Sequence, residues 1–123
     1  MPQVHTYKII SYINASHAVR WAGGTGKPHN HTWEVISEIQ LDQEQLIPFN
    51  DIEALINSVF EPYTNQYLNE VPPFDQTNPT LENITKLVFK KLSAVMAANQ
   101  SRLVRLEVGE SPTRFYCISL KGD

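Results

Sequence analysis

Two long segments in which apolar and polar residues alternate, Val4 to Val19 and His29 to Asp42, stand on either side of a short stretch carrying Gly23, Gly24 and Gly26. A period of two marks a strand that is buried on one face only, and a short glycine-rich connection lets two such strands return antiparallel as a hairpin. In the first segment Tyr7, Ile9, Ile13, Ala15, His17 and Val19 share a face, and Thr6, Lys8, Tyr12, Asn14 and Ser16 share the other. In the second, His29, His31, Trp33, Val35, Ile39 and Leu41 lie opposite Asn30, Thr32, Glu34, Glu38 and Gln40. The apolar side of this hairpin needs a cover, and it also carries three of the chain's four histidines, all at one end.

The cover is legible downstream. Asn50 followed by Glu53 reads as an N-cap with a capping-box variant, and Ile52, Leu55, Ile56, Val59, Phe60 and Tyr63 repeat at helical spacing. The spacing predicts a helix from Asp51 to Tyr63. Val71-Pro72-Pro73-Phe74 through Asn78-Pro79 is a loop, because adjacent prolines fit neither a helix interior nor a central strand. Thr80, or Asn78 with Pro79 as first helical residue, caps a second helix. Its stripe is Leu81, Ile84, Leu87, Val88, the stem of Lys91, Leu92 and Val95, and it ends near Asn99. Strands follow from Leu103 to Glu110, with Val104, Leu106, Val108 and Glu110 on one face, and from Arg114 to Leu120. The order ββααββ describes one α+β domain over residues 1–123, a four-stranded antiparallel sheet with two helices on one face. Its second face is polar and its two edges are open, which joining sheets edge to edge between subunits would manage.

Composition narrows the function. A chain of 123 residues, 41% apolar and 19% charged, supports one packed core. A formal charge of −3 with scattered Lys and Arg argues against a nucleic-acid partner. Cys117 is the single cysteine, so no internal disulfide forms; among Phe115, Tyr116 and Ile118 it reads as a buried, inert thiol. No apolar run nears the roughly 20 residues that span a bilayer, and the amino terminus lacks a signal peptide's pattern, so the expected location is the cytoplasm. Gly23-Gly24-Thr25-Gly26-Lys27 precedes a strand and not a helix, which removes it as a phosphate loop and leaves Lys27 a solvated loop residue.

His29-Asn30-His31 alone would be an ordinary strand start. With His17 on the same face across a short loop, the three imidazoles instead make a site for zinc or a similar divalent ion. Three histidines with no evident fourth protein ligand is the pattern of a catalytic zinc with an open position. His5, at the far end, reads as a surface residue. Glu110 ends an apolar face, so its carboxylate is either half-buried beside a ligand or at the solvated rim. If buried, it needs a partner such as the paired N–H donors of a heterocycle.

These residues resemble those of the 6-pyruvoyltetrahydropterin and 6-carboxytetrahydropterin synthases, zinc enzymes of the tunnelling fold. Tyr12-Ile13-Asn14-Ala15-Ser16-His17 is similar to the family's first strand, and His29-Asn30-His31 to its His-Gly-His with Asn30 for glycine. Leu46-Ile47-Pro48-Phe49 resembles the start of its first helix, with Pro48 where aspartate is usual. Tyr67-Leu68-Asn69 resembles its Leu-Asn, Pro79-Thr80-Leu81-Glu82-Asn83 its Pro-Thr-x-Glu-Asn, and Val108-Gly109-Glu110 the strand ending in its pterin-binding glutamate. The resemblance implies zinc on His17, His29 and His31, a pterin anchored by Glu110 with Thr80 nearby, and trimers or hexamers closing into a barrel with pockets at subunit seams. The implied substrate is 7,8-dihydroneopterin triphosphate or a related pterin.

Three positions depart from that pattern together. Thr25 stands in place of the proton-moving cysteine, Thr64 in place of its aspartate and Asn65 in place of its histidine. A threonine hydroxyl is far less acidic than a thiol with a pKa of about 8.5, and neither Thr64 nor Asn65 titrates near neutrality. Three readings stay open: a zinc-dependent lyase or synthase using another base, an inactive pterin-binding relative, or a metal-stabilised structural oligomer. Glu110, Glu70, Asp75 and zinc-bound hydroxide are the candidate bases.

Overall fold

A computed structural model of the chain describes residues 3–42 and 46–120. The alternating segments form β1 (Tyr7–His17) and β4 (His29–Leu41), and the loop between them holds a two-residue ribbon, β2 (Arg20–Trp21) and β3 (Gly24–Thr25). Helices α1 (Phe49–Phe60) and α2 (Leu81–Ala97) follow, separated by a 3-10 turn at Leu68–Glu70, and β5 (Ser101–Ser111) and β6 (Arg114–Ser119) close the chain. The main sheet is antiparallel in the order β1-β4-β5-β6. The expected ββααββ domain is therefore present, with the small ribbon added.

One core joins the layers. Ile9, Ile13, Ala15, Trp33, Val35, Ile39, Leu103, Leu106 and Val108 of the sheet pack against Ile52, Ile56, Val59 and Phe60 of α1 and Ile84, Val88, Leu92 and Met96 of α2. Apolar burial of this kind, at about 25 cal/mol per Å², is the main force holding helices to the sheet. Ser37 lies in the same layer on β4, and its hydroxyl has no hydrogen-bond partner among the described residues.

Several local expectations are corrected. The first helix begins at Phe49 with Pro48 as its flanking residue and no side-chain cap among the described residues, so Asn50 lies inside it; the Pro48 carbonyl takes the Asp51 and Ile52 amides instead. Tyr63 falls beyond the helix end, in a turn that still buries it. Of the two possible caps on the second helix, Thr80 is the one used: its hydroxyl accepts from the Asn83 amide at 3.1 Å. Lys91 is exposed, and its ammonium donates to the Tyr63 hydroxyl at 2.7 Å.

Three strand residues are also corrected, two of them by the pairing. Glu38 pairs with Arg105 and Ile39 with Leu103, which leaves Val104 as an extra residue; this bulge shifts the alternation, so Leu103 and not Val104 faces the core. At the end of β1 the chain turns after His17, burying Ala18 and exposing Val19. Cys117 is exposed, because it sits opposite Glu107 on the outward face of the edge strand β6.

Candidate metal centre

Register brings the histidines to one end of the sheet. His17 pairs with His29 and Ala15 with His31, so successive inward positions of the two strands place imidazoles next to each other. The rings of His17 and His31 meet edge to face with centroids 5.0 Å apart. Trp33 forms the floor beneath them, 4.9 Å from the His17 ring and 5.2 Å from the His31 ring. It is buried, and its indole N–H donates to the Ala15 carbonyl at 3.0 Å, which fixes the ring that the histidines rest on.

Glu110 arrives from β5 through a second bulge. Gly109 pairs with Phe115 and Ser111 with Arg114, leaving Glu110 as the extra residue, and a bulge re-aims the side chain it carries. Gly109 is required beside it, since a Cβ there would lie 2.5 Å from the Phe115 ring. The outcome is a cluster in which one donor atom each of His17, His31 and Glu110 lies within 4.8 Å of the others. His29 does not join that group. It is exposed at the sheet's rim, and its ring centroid is 6.2 Å from that of His31.

The two clustered histidines are prepared differently. His17 is buried, and its Nδ1 lies 2.7 Å from the Pro79 carbonyl. A carbonyl only accepts, so Nδ1 carries the proton and Nε2 keeps its lone pair for a ligand. Burial holds the His31 pKa below the ordinary imidazole value, and the neighbouring His17 and His29 act in the same direction against the opposing pull of Glu110. The His31 ring is thereby disposed to be neutral, the form that binds metal.

The remaining residues singled out in the sequence lie elsewhere. The Thr80 hydroxyl oxygen is engaged as the α2 cap. Thr25 is exposed in β3, paired with Arg20. Thr64 donates its hydroxyl to the Phe60 carbonyl at 3.0 Å, and Asn65, at φ 61°, gives its amide to the Asn14 carbonyl. Both are exposed, and each has its polar contacts with backbone. Sequence reasoning put Trp33 on the apolar face, Asn69 in a family-like motif and Asn78 at a possible helix cap but gave none of them a part in the site, and it took Glu110 for part of a ligand pocket without linking it to the histidines. The Gly109 to Pro112 stretch could have signalled a bulge; nothing local in the sequence says that the Asn69 and Asn78 side chains bond the backbone of Ala18 and Arg20.

Four antiparallel strands under two helices, with imidazoles and a carboxylate converging at one end of the sheet, define a small α+β protein with a candidate metal centre. The sequence profile described as 6-pyruvoyl tetrahydropterin synthase matches residues 6–120, and the chain belongs to that family. Its fold is similar to that of 6-pyruvoyl tetrahydropterin synthase from Caenorhabditis elegans, at TM-score 0.79 and 18% identity over 98% of each chain. The Plasmodium falciparum synthase matches at TM-score 0.71 and 12% identity, over 95% of this chain and 98% of that one. A Plasmodium vivax synthase variant, in which a catalytic glutamate is replaced by alanine, matches at TM-score 0.71 and 14% identity with the same coverage. No curated protein matches the chain in sequence. Among the described residues no helix is long and apolar enough to cross a membrane.

Proposed function

We propose that this chain is a zinc-dependent lyase or synthase acting on 7,8-dihydroneopterin triphosphate or a related pterin, with a proton relay different from the family's usual one. The convergence of His17, His31 and Glu110 carries the reading. The donors fit the metal: imidazole nitrogens are zinc's ordinary partners, and the Pro79 carbonyl orients His17 as an outer partner does in metal sites. We assign His17, His29 and His31 as ligands, with His29 turning inward from the rim. Zinc held there supplies Lewis-acid polarisation of the substrate's side-chain oxygens.

The protein's own groups do the rest. Trp33 closes the floor beneath the rings. Glu110 binds the pterin's paired N–H groups or moves the side-chain proton, and Thr80 lies near the bound pterin. A catalytic glutamate in the Plasmodium vivax synthase supports a carboxylate base for a member of this family. We further propose a cytoplasmic trimer or hexamer whose sheets join into a barrel, with the pockets at the seams.

A second reading is a pterin-binding protein without turnover. It is favoured by the location of Thr25, Thr64 and Asn65, none of which presents a titratable group to the cluster. A metal-stabilised structural oligomer is the third. One experiment separates them: purified protein is analysed for metal, titrated with 7,8-dihydroneopterin, and incubated with dihydroneopterin triphosphate. The enzyme reading expects about one zinc per chain, its loss in the His17→Ala, His31→Ala variant, and release of triphosphate or of a small aldehyde that Glu110→Gln abolishes. Pterin binding without product establishes the second reading, and metal without pterin binding the third. Absence of metal from wild type and variant alike overturns the assignment of a metal centre.

A further inference from the structure

Resting on the metal reading above, we infer that Asn69 and Asn78 are positioning residues for that centre, holding His17 by acting as surrogate peptide groups where the free edge of β1 runs on past His17 to Arg20. The edge is sealed in sequence. The Asn65 amide donates to the Asn14 carbonyl at 2.6 Å, and the Ser16 amide donates to the Gln66 carbonyl at 3.0 Å. Beyond this point the neighbouring backbone departs into the 3-10 turn, and side chains continue the ladder. The Ala18 amide donates to Asn69 Oδ1 at 2.9 Å while Asn69 Nδ2 donates to the Ala18 carbonyl at 2.8 Å. The Arg20 amide donates to Asn78 Oδ1 at 2.8 Å while Asn78 Nδ2 donates to the Arg20 carbonyl at 2.7 Å. Each carboxamide thus satisfies one residue's N–H and C=O together, as a paired strand would.

His17 sits where this ladder changes from backbone to side chain. Its neighbour Ala18 is gripped by Asn69, and Asn78 precedes Pro79, whose carbonyl receives the His17 Nδ1 proton. That carbonyl is available because Thr80 has taken the Asn83 amide, the group that would otherwise turn back toward it at the start of a helix. Asn83 in turn donates from its side chain to the Asn78 carbonyl at 3.0 Å. Asn78, Thr80 and Asn83 therefore form a connected set of hydrogen bonds around Pro79, Asn69 clasps the residue after His17, and together they hold the buried imidazole that clusters with His31 and Glu110. Only an amide side chain both donates and accepts at the required spacing, so aspartate keeps half of each clasp and alanine none.

The test compares Asn69→Ala, Asn78→Ala, Asn69→Asp and Asn78→Asp with wild type. Zinc affinity is measured by competition with a chromophoric chelator, and the His17 ring tautomer by nitrogen chemical shifts in metal-free protein. Loss of an outer partner typically weakens metal binding about 10- to 100-fold. Both alanine variants are expected to fall in that range, with the His17 ring no longer held as the Nδ1–H tautomer, and the aspartate variants to lie between them and wild type. Val88→Ala, which loosens the core without touching the ladder, serves as the control for general destabilisation and keeps wild-type zinc affinity. Unchanged His17 shifts and unchanged affinity in the alanine variants, or equal weakening in Val88→Ala, overturn the inference. Wild type that binds no zinc refutes the metal reading itself, and the metal-free tautomer measurement still decides the ladder's role.

Discussion

At the scale of single residues, the site is built from groups whose protonation is set by what touches them. His31 takes a proton less readily in the folded protein than in the unfolded chain, because burial and the adjacent imidazoles oppose its charge. The unfolded chain then binds more protons at acidic pH, and stability must fall as pH drops through the ordinary imidazole value of about 6.5. The loss is complete below the depressed folded value. Urea unfolding of the metal-free protein at pH 8 and pH 5 is expected to show lower stability at pH 5, and His31→Asn is expected to reduce the difference. An equal or larger difference in the variant would locate the acid sensitivity elsewhere. The alternation exposed this residue to sequence reasoning, because a period of two puts His17, His29 and His31 on one face. It could not show that the His29 ring stays at the rim, since rotamer and rim exposure are not encoded in parity.

At the scale of elements, what the sequence hides is where a pattern slips. The face of β5 containing Val104 was legible as apolar, but a bulge opposite Glu38 and Ile39 moved Leu103 into the core. A one-residue slip exchanges faces, and nothing local announces it. The same kind of slip brought Glu110 to the histidines. Helix ends divide similarly: Thr80 caps α2 as its chemistry suggests, whereas Asn50 was preceded by Pro48, whose carbonyl begins the helix two residues early. Removing the α2 cap should cost about 1 kcal/mol, so Thr80→Ala is expected to lower unfolding free energy by that amount in urea titration, and Thr80→Ser to restore most of it. A helix end stabilised by tertiary packing alone would make both substitutions silent.

At the scale of the whole molecule, the candidate metal site draws on three strands that are distant in sequence. β1 and β4 supply the histidines, and β5 supplies Glu110. An ion bound only by the folded arrangement stabilises it by mass action, by about 2.7 kcal/mol at a free concentration one hundred times the dissociation constant. The melting temperature is therefore expected to rise with zinc and to fall on chelation, while the His17→Ala, His31→Ala variant melts at one temperature throughout. The order of elements and the two-layer architecture were legible because periodicity and turn chemistry are local. The asparagine ladder was not, because Asn69 and Asn78 acquire their meaning only when the chain folds back along β1.

The sealed edge of β1 also sets a boundary for contacts with other molecules. From Asn14 onward, one or both of the outward-pointing peptide groups at alternate residues, Asn14, Ser16, Ala18 and Arg20, are engaged within the chain. Among the described residues, those of Lys8, Ile10 and Tyr12 have no backbone partner beyond the sheet. A foreign strand adding itself to this border could thus zip along only the early half of β1 and would be halted at Asn14, well short of the histidines.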